Sequence, residues 1–227
     1  LDGRCRQGRA IQPRGTDSRR ARRARGAGDR RLTALLALPF DDSRRLTGSN
    51  LFFPATGAVL EVVGVAFDDG LESAWRGNVV RARRHLGWDE DAACVVRRHA
   101  SGVSLALAAP LDGLFTATEL NEWALCAALR DRDPVRWSGL RDALRAAAEQ
   151  SSPTPASPFP AEIDERAALA RLSRVAAEEQ RPDLLTLVDE ARSRDRHVLL
   201  DDESLTLGAG ATGCSFDLTR LPSVKDV

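Results

Sequence analysis

Arg44 and Arg45 stand just before the cluster Thr47-Gly48-Ser49-Asn50. A guanidinium is a planar fork of N–H donors that can meet a carboxylate or phosphate with two bonds at once. Beside a turn, such a fork is held where an anionic ligand can reach it. The cluster has turn chemistry: Gly48 can take positive φ, and Asn50 can hydrogen-bond to its own backbone. Arg44, Arg45, Ser49 and Asn50 are therefore candidate substrate-binding residues. The competing use of the two arginines is a surface ion pair with Asp41 or Asp42. Asn121 and Glu122, expected on one helix, form a second candidate set that could line a groove. Asp41, Asp42, Asp201, Asp202 and Glu203 are adjacent acids at expected turns, suited to capping or to holding a ligand or metal. Arg97, Arg98 and His99 form a polar strand end expected to face solvent.

Catalytic motifs are sparse. The chain has no G-x-x-x-x-G-K-[ST] phosphate loop, no serine nucleophile elbow and no H-E-x-x-H. Gly208, Gly210 and Gly213 match G-x-G-x-x-G by spacing, but a dinucleotide site needs a helix N-terminus to hold the pyrophosphate. The strand-like CSFDL follows instead, which predicts a glycine turn in a hairpin. Cys5, Cys94, Cys126 and Cys214 lie far apart and form no close pairs with His85, His99 or His197. Neither a structural zinc nor a disulfide framework is expected. Reduced thiols fit a cytoplasmic location. No catalytic residue, metal ligand or cofactor is assigned to this chain.

The elements that would position these residues can be read in order. Leu32–Leu38 is expected as a first strand, though a run this short also fits a helix turn; a twin-arginine export signal from Arg30-Arg31 lacks a small-residue cleavage site. Ala58–Val65, rich in β-branched residues, is a strand. Asp68-Asp69-Gly70 opens a helix in which Leu71, Trp75, Val79, Ala82 and Leu86 form one apolar stripe, with Arg76, Arg81, Arg83 and Arg84 solvated. Residues 93–99 and 103–109 form a β-hairpin, with Val103, Leu105 and Leu107 on one face. Thr116-x-x-Glu119 has capping-box spacing for a helix that buries Leu120, Trp123, Ala124 and Ala127. Another helix is expected over 137–148. Beyond the proline-rich 151–160, two helices and three short strands follow. The fold class is α+β: a small mixed or antiparallel sheet with packed helices, then a helical and short β segment. The expected division is a disordered Arg-rich extension 1–31, an α+β domain 32–150, a linker 151–160, a helix-helix-strand segment 161–220 and a departing linker 221–227.

Composition supports a packed core, since 43% of residues are hydrophobic. No apolar run approaches the ~20 residues that span a bilayer, so no membrane partner is expected. The formal net charge of zero conceals an asymmetry. Residues 1–31 hold eleven Arg against three Asp, so a basic arm precedes an acidic body. That arm offers a rival reading as a nucleic-acid binder, but it contains no aromatic side chain on which a base could stack.

Three stretches carry a family resemblance. RRLTGSNLF (44–52) resembles the opening motif of the amino-terminal region of cyanophycin synthetase and related Mur-ligase-like proteins, with Ser49 where that family has Pro. FTATELNEWA (115–124) is similar to a passage in Mur-ligase-family proteins with this leader domain. HVLLDDESLTLGAG (197–210) resembles the strand, acidic turn and strand that precede their nucleotide-binding module, with Ala209 in place of the usual aromatic. The resemblance implies ATP-dependent amide-bond formation through an acyl phosphate. ATP and Mg²⁺ would be held by a downstream ligase module absent from this sequence. It further implies that this chain is a non-catalytic substrate-binding or docking domain for an amino-acid or peptide-like substrate.

Overall fold

The computed structural model describes residues 40–132, 134, 138, 164–201, 203–210 and 213–223. The Arg-rich segment 1–31, the expected strand at 32–38, the expected helix at 137–148 and the linker at 151–160 lie outside the described residues. In chain order the elements are β1 (Phe40–Leu46), β2 (Gly57–Val62), α1 (Asp69–Leu86), β3 (Cys94–His99) and β4 (Gly102–Ala108), then a 3₁₀ turn (Leu111–Gly113) and α2 (Leu114–Arg132). After these come α3 (Glu165–Glu179), α4 (Pro182–Ser193), β5 (Val198–Leu200), β6 (Ser204–Leu207) and β7 (Cys214–Asp217). The class is α+β. A four-stranded antiparallel sheet has the order β1-β2-β4-β3, and β5, β6 and β7 form a second, three-stranded sheet. Because β4 pairs antiparallel with both β2 and β3, those two strands run parallel with β4 slotted between them.

Alternation along the strands builds the core. Leu60, Val62, Val103, Leu105 and Leu107 point to one face and pack on Trp75 and Val79 of α1 and on Leu120, Trp123 and Ala124 of α2. Ala168 and Leu172 of α3 join the same core. On the opposite face Val59, Ala106 and Ala108 meet Phe53 from the loop after β1, with Phe52 and Leu46 beside them. That loop covers only part of the sheet. A separate apolar cluster joins Leu184, Leu187 and Val188 of α4 to Leu200, Leu205 and Leu207 of the small sheet. No helix among the described residues is long and apolar enough to cross a membrane.

Helix α1 starts where expected. The Asp68 carboxylate accepts from Leu71 N at 2.7 Å, and Gly87, at φ +70°, closes the helix in the left-handed conformation that glycine tolerates. One expected surface residue is not on the surface. Arg83 is 1% exposed. It follows Val79 by four residues and Trp75 by eight, so at 3.6 residues per turn it falls on the buried stripe. Its guanidinium donates to the carbonyl oxygens of Ala92, Ala93 and Ala108 at 2.5, 3.2 and 2.7 Å. It thereby clasps the chain entering β3 to the end of β4.

The start of α2 corrects a second expectation. The helix begins at Leu114, so Thr116 lies in its first turn and is buried. The cap comes from elsewhere in the chain. Phe115 N, Thr116 N and the Thr116 hydroxyl donate to the Glu179 carboxylate at 2.6, 2.8 and 2.8 Å. Glu119, the expected partner in a local capping box, instead accepts from Arg171 of α3 at 2.8 Å, with both side chains about nine-tenths buried. A carboxylate satisfies the free N–H groups and favours the positive end of the helix dipole wherever it comes from in sequence.

Candidate functional site

The first strand passes through the residues that the sequence places at a turn. Asp41, Asp42, Arg44 and Arg45 all lie in β1, which pairs with β2 through an irregularity between Phe40 and Asp42. The register aligns Asp42, Glu61, Ser104 and Arg97 in one row across all four strands. This row lies on the face opposite the one on which α1, α2 and α3 pack.

Glu61 is the centre of the row. Arg44 Nη2 donates to Glu61 Oε1 at 3.2 Å, and Ser104 Oγ donates to Oε2 at 2.8 Å. His99 Nε2 lies 3.3 Å from the same Oε2. Arg44 Nε is also 2.9 Å from the Asp42 carboxylate. The ion pair expected of Arg44 therefore exists, and its guanidinium also reaches across to β2. Arg44, Glu61, His99 and Ser104 line a concavity of about 470 Å³ together with Leu46, Leu51, Phe52, Val59 and Arg97. Arg97 has no ion-pair or hydrogen-bond partner among the described residues. Leu51 is 86% exposed at the rim.

The loop that walls this concavity is organised by Asn50. Its Oδ1 accepts from Phe52 N and Phe53 N at 2.9 and 3.1 Å, and its Nδ2 donates to the carbonyls of Gly48 and Ala55 at 2.9 Å each. Asn50 thus shapes the wall, and its amide is committed to the backbone. Gly48 is not among the residues with positive φ, so the turn closes without the conformation expected there. Ser49 is exposed in the turn and is not part of the concavity's lining. Arg45 touches the rim and also borders a second depression with Thr47, Asp201 and Glu203. Asp201 is itself engaged, accepting from Glu203 N and Ser204 N at 2.9 and 2.6 Å, and these bonds with the Ser204 hydroxyl hold its carboxyl below its usual range.

Asn121 and Glu122 lie away from that face, on α2. Asn121 is fully buried; its Oδ1 accepts from Trp75 Nε1 at 2.9 Å and its Nδ2 donates to Leu105 O at 2.8 Å. It bolts both helices to the sheet. Glu122 is half-buried. Burial pushes its carboxyl up to about 7; the Ser43 hydroxyl on β1 partly offsets this, and the charge of Glu119 adds to it. One turn further along, the buried Cys126 thiol is pushed well up, first by burial and then by Glu122.

The six candidates are thus dispersed. Arg44 belongs to the open-face network, Arg45 and Asn50 border it, and Ser49, Asn121 and Glu122 lie outside it. Glu61, Ser104, Arg97 and His99 complete the network. Their signal in the sequence was the polar interruption of apolar strands, Glu61 within GAVLEV and Ser104 within GVSLALA. Their meeting depends on the pairing of β2, β4 and β3, which no local pattern reports. The glycines at 208 and 210 take positive φ between β6 and β7, as a hairpin turn requires. Cys94, Cys126 and Cys214 are free thiols. Among the described residues no three His, Cys, Asp or Glu side chains converge to hold a metal ion.

No family model, curated protein sequence or solved structure matches the chain.

Proposed function

We propose that this chain is the substrate-holding or docking domain of an ATP-dependent amide ligase of the Mur-ligase-like, cyanophycin-synthetase-like kind. In this reading it binds a reactant or seats the ligase, while a separate module holds ATP and Mg²⁺ and forms the acyl phosphate. The whole assembly works in the cytoplasm. One observation carries the proposal. The stretch with the most distinctive resemblance, RRLTGSNLF, supplies the end of β1 and the loop that wall the open-face concavity, and Arg44 enters its charge network. The second resembling stretch forms α2 behind the sheet, and the third forms the β5–β6 hairpin. A charged concavity without an assigned nucleophile suits holding a reactant better than transforming it.

The test has two parts. Sequencing the coding DNA downstream of Val227 should reveal a G-x-x-x-x-G-K-[ST] motif. Expressing the whole open reading frame should then give ADP release that depends on an amine and a carboxylate substrate. Arg44→Ala should raise KM in that assay with little change in kcat, because the residue binds rather than reacts. A reading frame without a nucleotide-binding module, or a whole protein with no ATP-dependent amide formation, would overturn the proposal.

A further inference from the structure

We propose that the open sheet face binds a monocarboxylate joined to an apolar body, of the kind presented by an acylated amino acid or the C-terminal residue of a peptide. This deepens the substrate-holding role above and rests on it. The concavity has two poles. At one, Arg97 presents a guanidinium with no partner among the described residues, in the same cross-strand row as Glu61 and Ser104. At the other, Leu46, Phe52 and Val59 form an apolar wall, and Leu51 stands 86% exposed above it.

The charges decide the sign of the ligand. Glu61 is already engaged by Arg44, Ser104 and His99. These donors already offset most of the Glu61 charge, so an incoming ammonium would find little left to attract it. An incoming carboxylate would displace nothing, because the Arg97 fork is uncommitted and matches two oxygens side by side. The size is consistent with a small ligand, since 470 Å³ lies toward the lower end of the ~300–1,000 Å³ typical of such sites. The exposed Leu51 and its neighbours gain only if the ligand brings apolar surface to cover them.

The experiment is a two-dimensional amide NMR titration of the chain with N-acetylleucine, N-acetylleucinamide and leucinamide, with inorganic phosphate as a fourth probe. N-acetylleucine is expected to shift the amides of Glu61, Arg97, Ser104 and Phe52, and the two carboxylate-free compounds are expected to bind at least about tenfold more weakly. Arg97→Gln should weaken N-acetylleucine about tenfold, whereas Arg192→Gln, on the exposed side of α4, should leave it unchanged. Arg97 is exposed, so its variant keeps the fold, and the dispersion of the same spectra confirms that directly. Equal binding of acid and amide, equal binding of phosphate, or an Arg97→Gln variant of unchanged affinity would overturn the proposal. If no carboxylate binds yet the whole protein forms amides from ATP, the ligand assignment fails and the ligase reading stands. If N-acetylleucine binds as expected but no ligase module exists, the site stands and the ligase reading fails.

Discussion

Replacing Glu122 by Gln isolates one proton. The carboxyl sits on α2, and burial raises it from an ordinary 4.5 to about 7. The folded chain therefore keeps a proton that the unfolded chain releases across that interval. Its contribution to stability is fully present below about pH 4.5 and is lost as pH rises through about 7, because the unfolded state binds fewer protons there. At about 1.4 kcal/mol per pH unit, the full rise corresponds to ~3 kcal/mol. Gln keeps the shape and cannot ionise. Urea unfolding at about pH 5, 6, 7 and 8 should show the parent losing stability relative to Glu122→Gln by ~2–3 kcal/mol over that range, with equal m-values. All other titrating groups are common to both proteins, so they cancel in the difference. If the two proteins run parallel with pH, Glu122 is solvated and titrates normally, and the account of its burial is wrong.

Three further changes test the fold that carries the site. Arg83→Met keeps most of the volume but leaves the carbonyls of Ala92 and Ala108 without their donor, while Ala93 keeps the backbone N–H of Ala108, and should cost about 2–3 kcal/mol by urea unfolding. Glu179→Ala removes the cap that α3 supplies to α2 and should cost about 1–2 kcal/mol, with faster amide exchange at Phe115 and Thr116. Asn50→Ala releases the loop at 47–56, with a cost of about 1–2 kcal/mol and line broadening at Phe52 and Phe53.

What was legible in the sequence was what repeats locally. The stripe Leu71, Trp75, Val79 and Ala82, the Asp68 cap, the hairpin around 100–102 and the glycine turn at Gly208 and Gly210 each depend on neighbours a few residues away. What was not legible depends on partners brought together by topology. Arg83 carries the most solvent-loving side chain of its turn, and its polarity masked a buried position that its spacing marks plainly. Thr116 and Glu119 have the spacing of a self-contained cap, yet both bond to α3, more than fifty residues away. A short apolar or charged run gives no sign of whether it pairs on one edge or two, and DDSRR proved to be an edge strand.

The same reasoning explains why the open face holds the site. A sheet edge or face left bare is a hazard unless polar groups guard it. Here the guard is Asp42, Arg44, Glu61 and Ser104, one side chain from each of three strands and a second from the edge, knit by ion pairs and hydrogen bonds. Such a network satisfies most of its own members and so resists nonspecific pairing. Arg97 stands in the same row and is left over. An edge charge placed only to repel other strands would work anywhere along β3. One aligned with an engaged carboxylate, above a half-covered apolar wall, also has a direction, and that direction points at an anion. Moving the charge to Arg98, whose guanidinium is drawn away to Asp69 and Glu72 on the helix side, would keep the repulsion and lose the site. The pair Arg97→Gln and Arg98→Gln therefore separates the two roles: only the first should weaken a carboxylate ligand, and only the second should loosen α1 from β3.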